Sequence, residues 1–140
     1  STHCISSAAS DVYKRQLRTS GATDPHLSVS AVLVPMTRGI LAVCTAPSQA
    51  STATLVGRLR EVYHDEPLIH VTNAHPDTHD VAGSAMAHIN AVGDLDNGLA
   101  TVVVALDNLV KGTAGAVVQS LNLAMGLPET AGLPLVGLNP

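Results

Sequence analysis

Two apolar runs, "SAMAHINAV" at 84–92 and "LATVVVAL" at 99–106, are separated only by "GDLDNG". Asn97-Gly98 is a strong hairpin turn because both positions tolerate positive φ, so the two runs read as adjacent strands. This pair limits the fold more than any other stretch, because a chain of alternating strands and helices has no room for it. Elsewhere the pattern adds strands faster than helices. "HLSVSAVLV" (26–34) alternates, placing Leu27, Val29, Ala31 and Leu33 on one face of an expected strand. "PMTRG" then turns the chain, punctuated by Pro35 and Gly39. "ILAVCTA" (40–46) is apolar throughout and is expected to be a central strand.

Residues 51–64, "STATLVGRLREVYH", space Leu55, Val56, Leu59, Val62 and Tyr63 as a helix does. Ser51 or Thr52 can cap it, and Pro67 lies beyond its end. "LIHVT" (68–72) is a short strand and "NAHPDTHDVAG" (73–83) a loop. A last helix is expected from Gly112 to Met125, stopped by Gly126 with Pro128 just beyond. The order strand, strand, helix, strand, strand, strand, helix implies an α+β fold. In it a mixed or antiparallel sheet carries helices on one face.

The first sixteen residues, "STHCISSAASDVYKRQ", show neither period and resemble a translated adaptor, so they are set apart as a non-native segment. A truncated upstream sequence is expected on that account. The remainder divides into 17–106, a partial α+β domain, and 107–140, a helix and irregular tail. With no Phe or Trp and only Tyr13 and Tyr63, the core must be built from Val, Leu, Ala and Ile. Seven basic residues against eleven acidic ones leave a net charge of −4, too little positive charge for a phosphate backbone. With so few rings to stack bases on, nucleic acid is disfavoured. Cys4 and Cys44 cannot form a disulfide framework and suit a reducing compartment. No apolar run approaches a bilayer span and no secretory signal is evident, so a cytoplasmic location is expected.

Cys44 is the one thiol outside the adaptor-like segment. A nucleophile needs a setting that lowers its pKa, whereas Ala42, Val43 and Ala46 surround it, so a packed core cysteine is expected. His75 and His79 are four apart, but Pro76 lies between them and no cysteine pair completes a ligand set, so no metal is assigned. "DLDNG" fails as a calcium loop: its glycine comes one position early, and Ala105 stands where the bidentate Glu belongs. "KGT" at 111–113 reverses the order of a phosphate-binding loop. Arg38, in the turn between two strands, could grip a carboxylate or phosphate with its guanidinium fork or serve only as a surface turn residue. Asn108 could recognise a planar carboxamide or cap the local turn. The small residues of 112–116 fit a ligand or another backbone at close range.

"VLVPMTRGILA" (32–42), "DEP" (65–67) and "VVALDNLVKGTAGAVVQSLNLAMGLPETAGL" (103–133) together resemble the C-terminal part of the N-acetyl-gamma-glutamyl-phosphate reductase family. The likeness extends from about Leu27 to the end. It implies a reductase of arginine biosynthesis that uses NADP and acts on a small-molecule acyl phosphate, releasing phosphate and a semialdehyde. It also implies a homo-oligomer and the α+β catalytic and oligomerisation domain of glyceraldehyde-3-phosphate-dehydrogenase-like enzymes. On this resemblance the last helix would return to pack on a dinucleotide-binding domain.

Asn108 and Gly112 would lie against the cofactor, and Arg38 would hold the substrate anion. The family's Pro-Gly-Cys nucleophile and His-x-His-Thr-Pro-Glu stretch are both missing, as is any Gly-x-Gly-x-x-Gly after a strand. No catalytic residue is therefore assigned and an inactive fragment is expected. Gly83-Ser84-Ala85 departs from the family's Gly-Ser-Asn, which loosens the expectation for 73–92. Two readings compete with this one: a free-standing, non-catalytic α+β module for ligand binding or oligomerisation, and a metal-binding domain on the histidine loop.

Overall fold

The computed structural model describes residues 12–138, and it separates into two compact units, Ser1–Pro35 and Met36–Pro140. The adaptor-like segment lies outside the described residues up to position 11. In the first unit a helix (α1) covers residues 12–19. The alternating run 26–34 is not a strand, contrary to its pattern: it is irregular throughout. Alternation gives a segment two faces, but a strand exists only when its N–H and C=O groups find a ladder partner. The described ladders do not include it, and Val32, Leu33 and Val34 are exposed.

The second unit runs β1 (Ile40–Pro47), α2 (Thr52–Val62), β2 (Ile69–Val71), α3 (Thr78–Val81), β3 (Ala87–Asp94), β4 (Leu99–Leu106), a π-helical turn (Val110–Ala114) and α4 (Gly115–Ala124). The sheet order is β1-β4-β3-β2. β4 pairs antiparallel with both β1 and β3, and β2 joins β3 in parallel. The sheet is therefore mixed, as expected for the α+β class. The hairpin forms with Gly98 at φ 64°, but Asn97 keeps negative φ and donates from its backbone N–H and its side chain to Asp94. A carboxylate-held turn thus does the work expected of two positive-φ residues.

β1 corrects the expectation of a central strand. It pairs on one side only, and seven of its eight residues are exposed, Cys44 among them. Continuous hydrophobicity reports that both faces are apolar; it does not report that both are covered by the same chain. The packed centre is instead β3 and β4. Register places Ala87, Ile89, Ala91 and Ala100 on one face and Val103 and Ala105 on the other, all buried. Leu68, Val81 and Ala85 complete this small-residue core among the described residues.

α2 starts where the sequence says it should, with the Ser51 hydroxyl accepting from the Thr54 N–H at 3.2 Å. Its first turn sits against Gly93. A Cβ there would drive into the Ala50 carbonyl oxygen, and the Gly93 N–H donates to Thr52 Oγ1 at 3.0 Å. Glycine is needed at that position for proximity rather than for its φ. α3 is a single turn inside the segment expected to be all loop, capped by Asp77, whose carboxylate accepts from the His79 N–H at 2.8 Å.

The last helix also begins differently from the expectation. Residues 112–114 belong to the π turn, in which the Gly112 N–H reaches Asp107 O and the Ala114 N–H reaches Leu109 O, both at 2.9 Å. Gly115 is the packed glycine: a Cβ there would lie 2.7 Å from Val110 O. Gly126, at φ 68°, ends the helix as expected.

Candidate functional site

Antiparallel register dictates which residues meet at the end of the sheet. Ile40 faces Leu106, so the residues just before β1 and just after β4 must lie side by side. This brings Arg38 and Gly39 to Asp107 and Asn108, although 69 residues separate Gly39 from Asn108. Two of the expected site residues, Arg38 and Asn108, therefore share one corner. Gly112 joins them through its N–H on the Asp107 carbonyl.

Asp107 is the residue that organises the corner, and sequence reasoning passed it over for its neighbour. Its side chain is fully buried. Oδ1 accepts from the N–H groups of Leu109 (2.8 Å) and Val110 (2.7 Å), and Oδ2 accepts from the Gly83 N–H (2.6 Å). Oδ2 also lies 2.7 Å from Arg38 Nε. That contact is an ion pair rather than an aligned hydrogen bond, because the buried Nε finds no acceptor in good hydrogen-bond geometry. Burial pushes the carboxyl pKa up, but the Val110, Gly83 and Leu109 N–H groups and the Arg38 charge together outweigh it. The net result is a carboxyl held below its ordinary value. The available signal was an acid closing an apolar strand just before a helix start, the habitual place for a side chain that collects free N–H groups.

Arg38 keeps 35% of its side chain exposed while Nε is buried. The guanidinium thus meets the carboxylate on its Nε side while part of the side chain stays accessible. Asn108 is half-buried, and its Oδ1 accepts from the Gly39 N–H at 2.8 Å. Gly39 has φ 110°, and a Cβ there would come within 2.8 Å of Thr78, so both conformation and space demand glycine. Gly112 is exposed, and a Cβ would meet only ordinary contacts, at 3.5 Å from Asp107 O. Packing within this chain does not require its small size. Beside the corner, Lys111 Nζ donates to Gln119 Oε1 at 3.1 Å, and Gln119 Nε2 donates to Glu129 Oε1 at 2.6 Å. Desolvation lowers the Lys111 pKa, opposed by Glu129 and Glu66.

The histidines do not assemble a metal centre: among the described residues no group of three or more His, Cys, Asp or Glu could hold an ion. His70 and His88 are a register pair across β2 and β3, with ring centroids 5.3 Å apart in an edge-to-face arrangement. His88 Nδ1 is buried without a partner. Burial lowers the His88 pKa, and His70 lowers it further, against a raising influence from Asp80. A base with a depressed folded pKa binds more protons when unfolded. Its stabilising contribution is therefore complete above the unfolded value near 6.5 and is lost as pH falls through the folded pKa. The melting temperature should accordingly fall less steeply on mild acidification in a His88→Gln variant than in the parent. Parallel curves for the two proteins would show that His88 carries none of the acid sensitivity. No helix among the described residues is long and apolar enough to cross a membrane.

The family model described as semialdehyde dehydrogenase, dimerisation domain, matches residues 13–108, a stretch that includes Arg38, Asp107 and Asn108. Among curated proteins, the N-acetyl-gamma-glutamyl-phosphate reductase of Saccharopolyspora erythraea is 45% identical over 130 residues, covering 90% of this chain and 38% of the relative. The enzyme of that name from Mycobacterium avium is 45% identical over 119 residues, covering 84% and 34%. That of Leifsonia xyli subsp. xyli is 45% identical over 131 residues, covering 91% and 38%. The chain spans little more than a third of the length of these relatives.

Proposed function

The chain belongs to the semialdehyde dehydrogenase dimerisation-domain family, and from that premise we propose that it is the C-terminal part of an N-acetyl-gamma-glutamyl-phosphate reductase. The whole enzyme would use NADPH to convert the acyl phosphate to N-acetylglutamate semialdehyde with release of phosphate, in arginine biosynthesis. The observation that supports this most is the corner itself: the family match runs through a part-exposed arginine, a buried acid and an asparagine held together by register. The thiol nucleophile and the proton-handling histidine of such a reaction would belong to the remaining length of the enzyme, since Cys44 lies on an exposed edge strand whose own residues include no basic side chain.

This chain's own share is binding and orientation. Arg38 would hold the substrate anion with the open part of its guanidinium. Asn108, its Oδ1 tied to the Gly39 N–H, would offer its remaining amide group to the nicotinamide carboxamide, and Gly112 would allow close approach of the cofactor. The residues fit that group, because Asn108 is only half-buried and the outer side of Gly112 is exposed. The cofactor itself supplies the hydride when bound.

We read 17–106 as the oligomerisation domain and 107–140 as the arm that returns to a dinucleotide-binding domain. Exposed apolar side chains support both assignments: Leu41 and Val43 on one face of β1, and Val117 and Leu121 one turn apart on α4. The assembled protein would be a cytoplasmic homo-oligomer acting on a small molecule. Supplied with N-acetyl-gamma-glutamyl phosphate and NADPH, the purified chain should show no substrate-dependent oxidation of NADPH. Sustained turnover would mean that the reacting groups are present here after all.

A further inference from the structure

We propose that Asp107 is a positioning residue for Arg38, holding the guanidinium by its Nε so that the opposite Nη edge faces an anionic group of the substrate. The proposal rests on the reading of Arg38 as the anion-binding residue and adds how that arginine is aimed. Three observations carry it. The carboxylate is fully buried and tied by three backbone N–H groups from two separate segments, Gly83 and Leu109-Val110, so it cannot follow the arginine; the arginine must come to it. Nε is buried while a third of the side chain remains exposed, so the accessible surface of Arg38 lies away from the carboxylate. The neighbouring Gly39 N–H is pinned to Asn108, which fixes the backbone from which Arg38 springs.

An unrestrained arginine loses considerable rotamer freedom when it grips an anion, and a guanidinium already paired with a fixed carboxylate has lost part of that freedom beforehand. The negative charge of Asp107 works the other way, repelling an incoming anion. That charge is shared among three N–H donors and stands on the far side of the guanidinium, so restraint should outweigh repulsion. The arrangement also ties the anion site to the cofactor side. The acid that orients Arg38 accepts from Leu109 and Val110, which open the turn carrying Gly112.

The probe is inorganic phosphate, titrated into the whole isotope-labelled chain at neutral pH while the arginine side-chain resonances are followed by NMR. Saturable shifts should appear at Arg38 and not at the exposed Arg58. Asp107→Asn should weaken phosphate binding about tenfold, the size expected when one charge-assisted contact loses its geometry. Should that variant fail to fold, Arg38→Lys decides. It leaves Asp107 its three N–H donors and a positive partner but removes the fork, so the Gly39 and Ile40 amide shifts should persist while saturable binding disappears. No saturable shift at Arg38 in the parent chain would overturn the anion reading itself and this proposal with it. Phosphate bound by the parent and equally or more tightly by Asp107→Asn would overturn the positioning role alone, as would undiminished binding by Arg38→Lys.

Discussion

Asp107→Ala should be the most damaging single substitution at the corner, lowering the free energy of unfolding by roughly 3–5 kcal/mol, since each donor left without an acceptor costs about 1–3 kcal/mol. The figure follows from what is left behind. Three backbone N–H groups, those of Gly83, Leu109 and Val110, lose their acceptor. Arg38 keeps a buried Nε with no counter-charge. All three bonds are part-buried, so each orphaned donor carries some desolvation cost.

A small domain has about 5–15 kcal/mol of stability in total, so a loss of that size removes roughly a fifth of it at the least and nearly all of it at the most. Urea denaturation followed by circular dichroism measures this directly. Asp94→Ala is the natural control: Asp94 is exposed and serves only the hairpin turn, so its midpoint should move far less. Similar midpoints for the two variants would mean that Asp107 is not the fastening described. The same carboxyl has a sign in pH. Its folded pKa is depressed, so its contribution is present above the unfolded value near 3.8 and fades as pH falls through the lower folded value. Arg38→Ala should be milder than Asp107→Ala, because the acid retains its three N–H donors.

How legible the molecule was depends on which physical signal each element carries. α2 and the β3–β4 hairpin were plain because their signals are local: an N-capping serine, apolar spacing and a turn glycine. The helix stop at Gly126 was equally local. Residues 26–34 misled because alternation marks faces and says nothing of a ladder partner. β1 misled in the opposite way, its hydrophobicity being real and its burial absent. The Thr78–Val81 turn, capped by one aspartate inside a polar stretch, has too short a period to detect.

At the corner, Arg38, Asn108 and Gly112 were picked out singly, and their proximity followed once the register of β1 on β4 was known. Asp107 was missed because its importance comes from Gly83 and Arg38, which are remote in sequence. The small residues at 112–116 do not share one explanation. Gly115 is small because Val110 presses on it, whereas a Cβ at Gly112 would meet only ordinary contacts within the chain.

The central claim is that this chain supplies the anion-holding and amide-presenting half of a reductase site and depends on another portion for the reacting groups. A chimera tests it most directly: residues 17–140 replace the corresponding part of the Saccharopolyspora erythraea enzyme, of which the matched region is 38%. The account predicts that the chimera oxidises NADPH only when N-acetyl-gamma-glutamyl phosphate is present. It also predicts that Arg38→Ala lowers kcat/KM by at least about tenfold, the effect of losing charge-assisted contacts to substrate. A chimera that folds and binds NADPH but leaves the acyl phosphate untouched would contradict it. So would an Arg38→Ala chimera that turns over as fast as its parent.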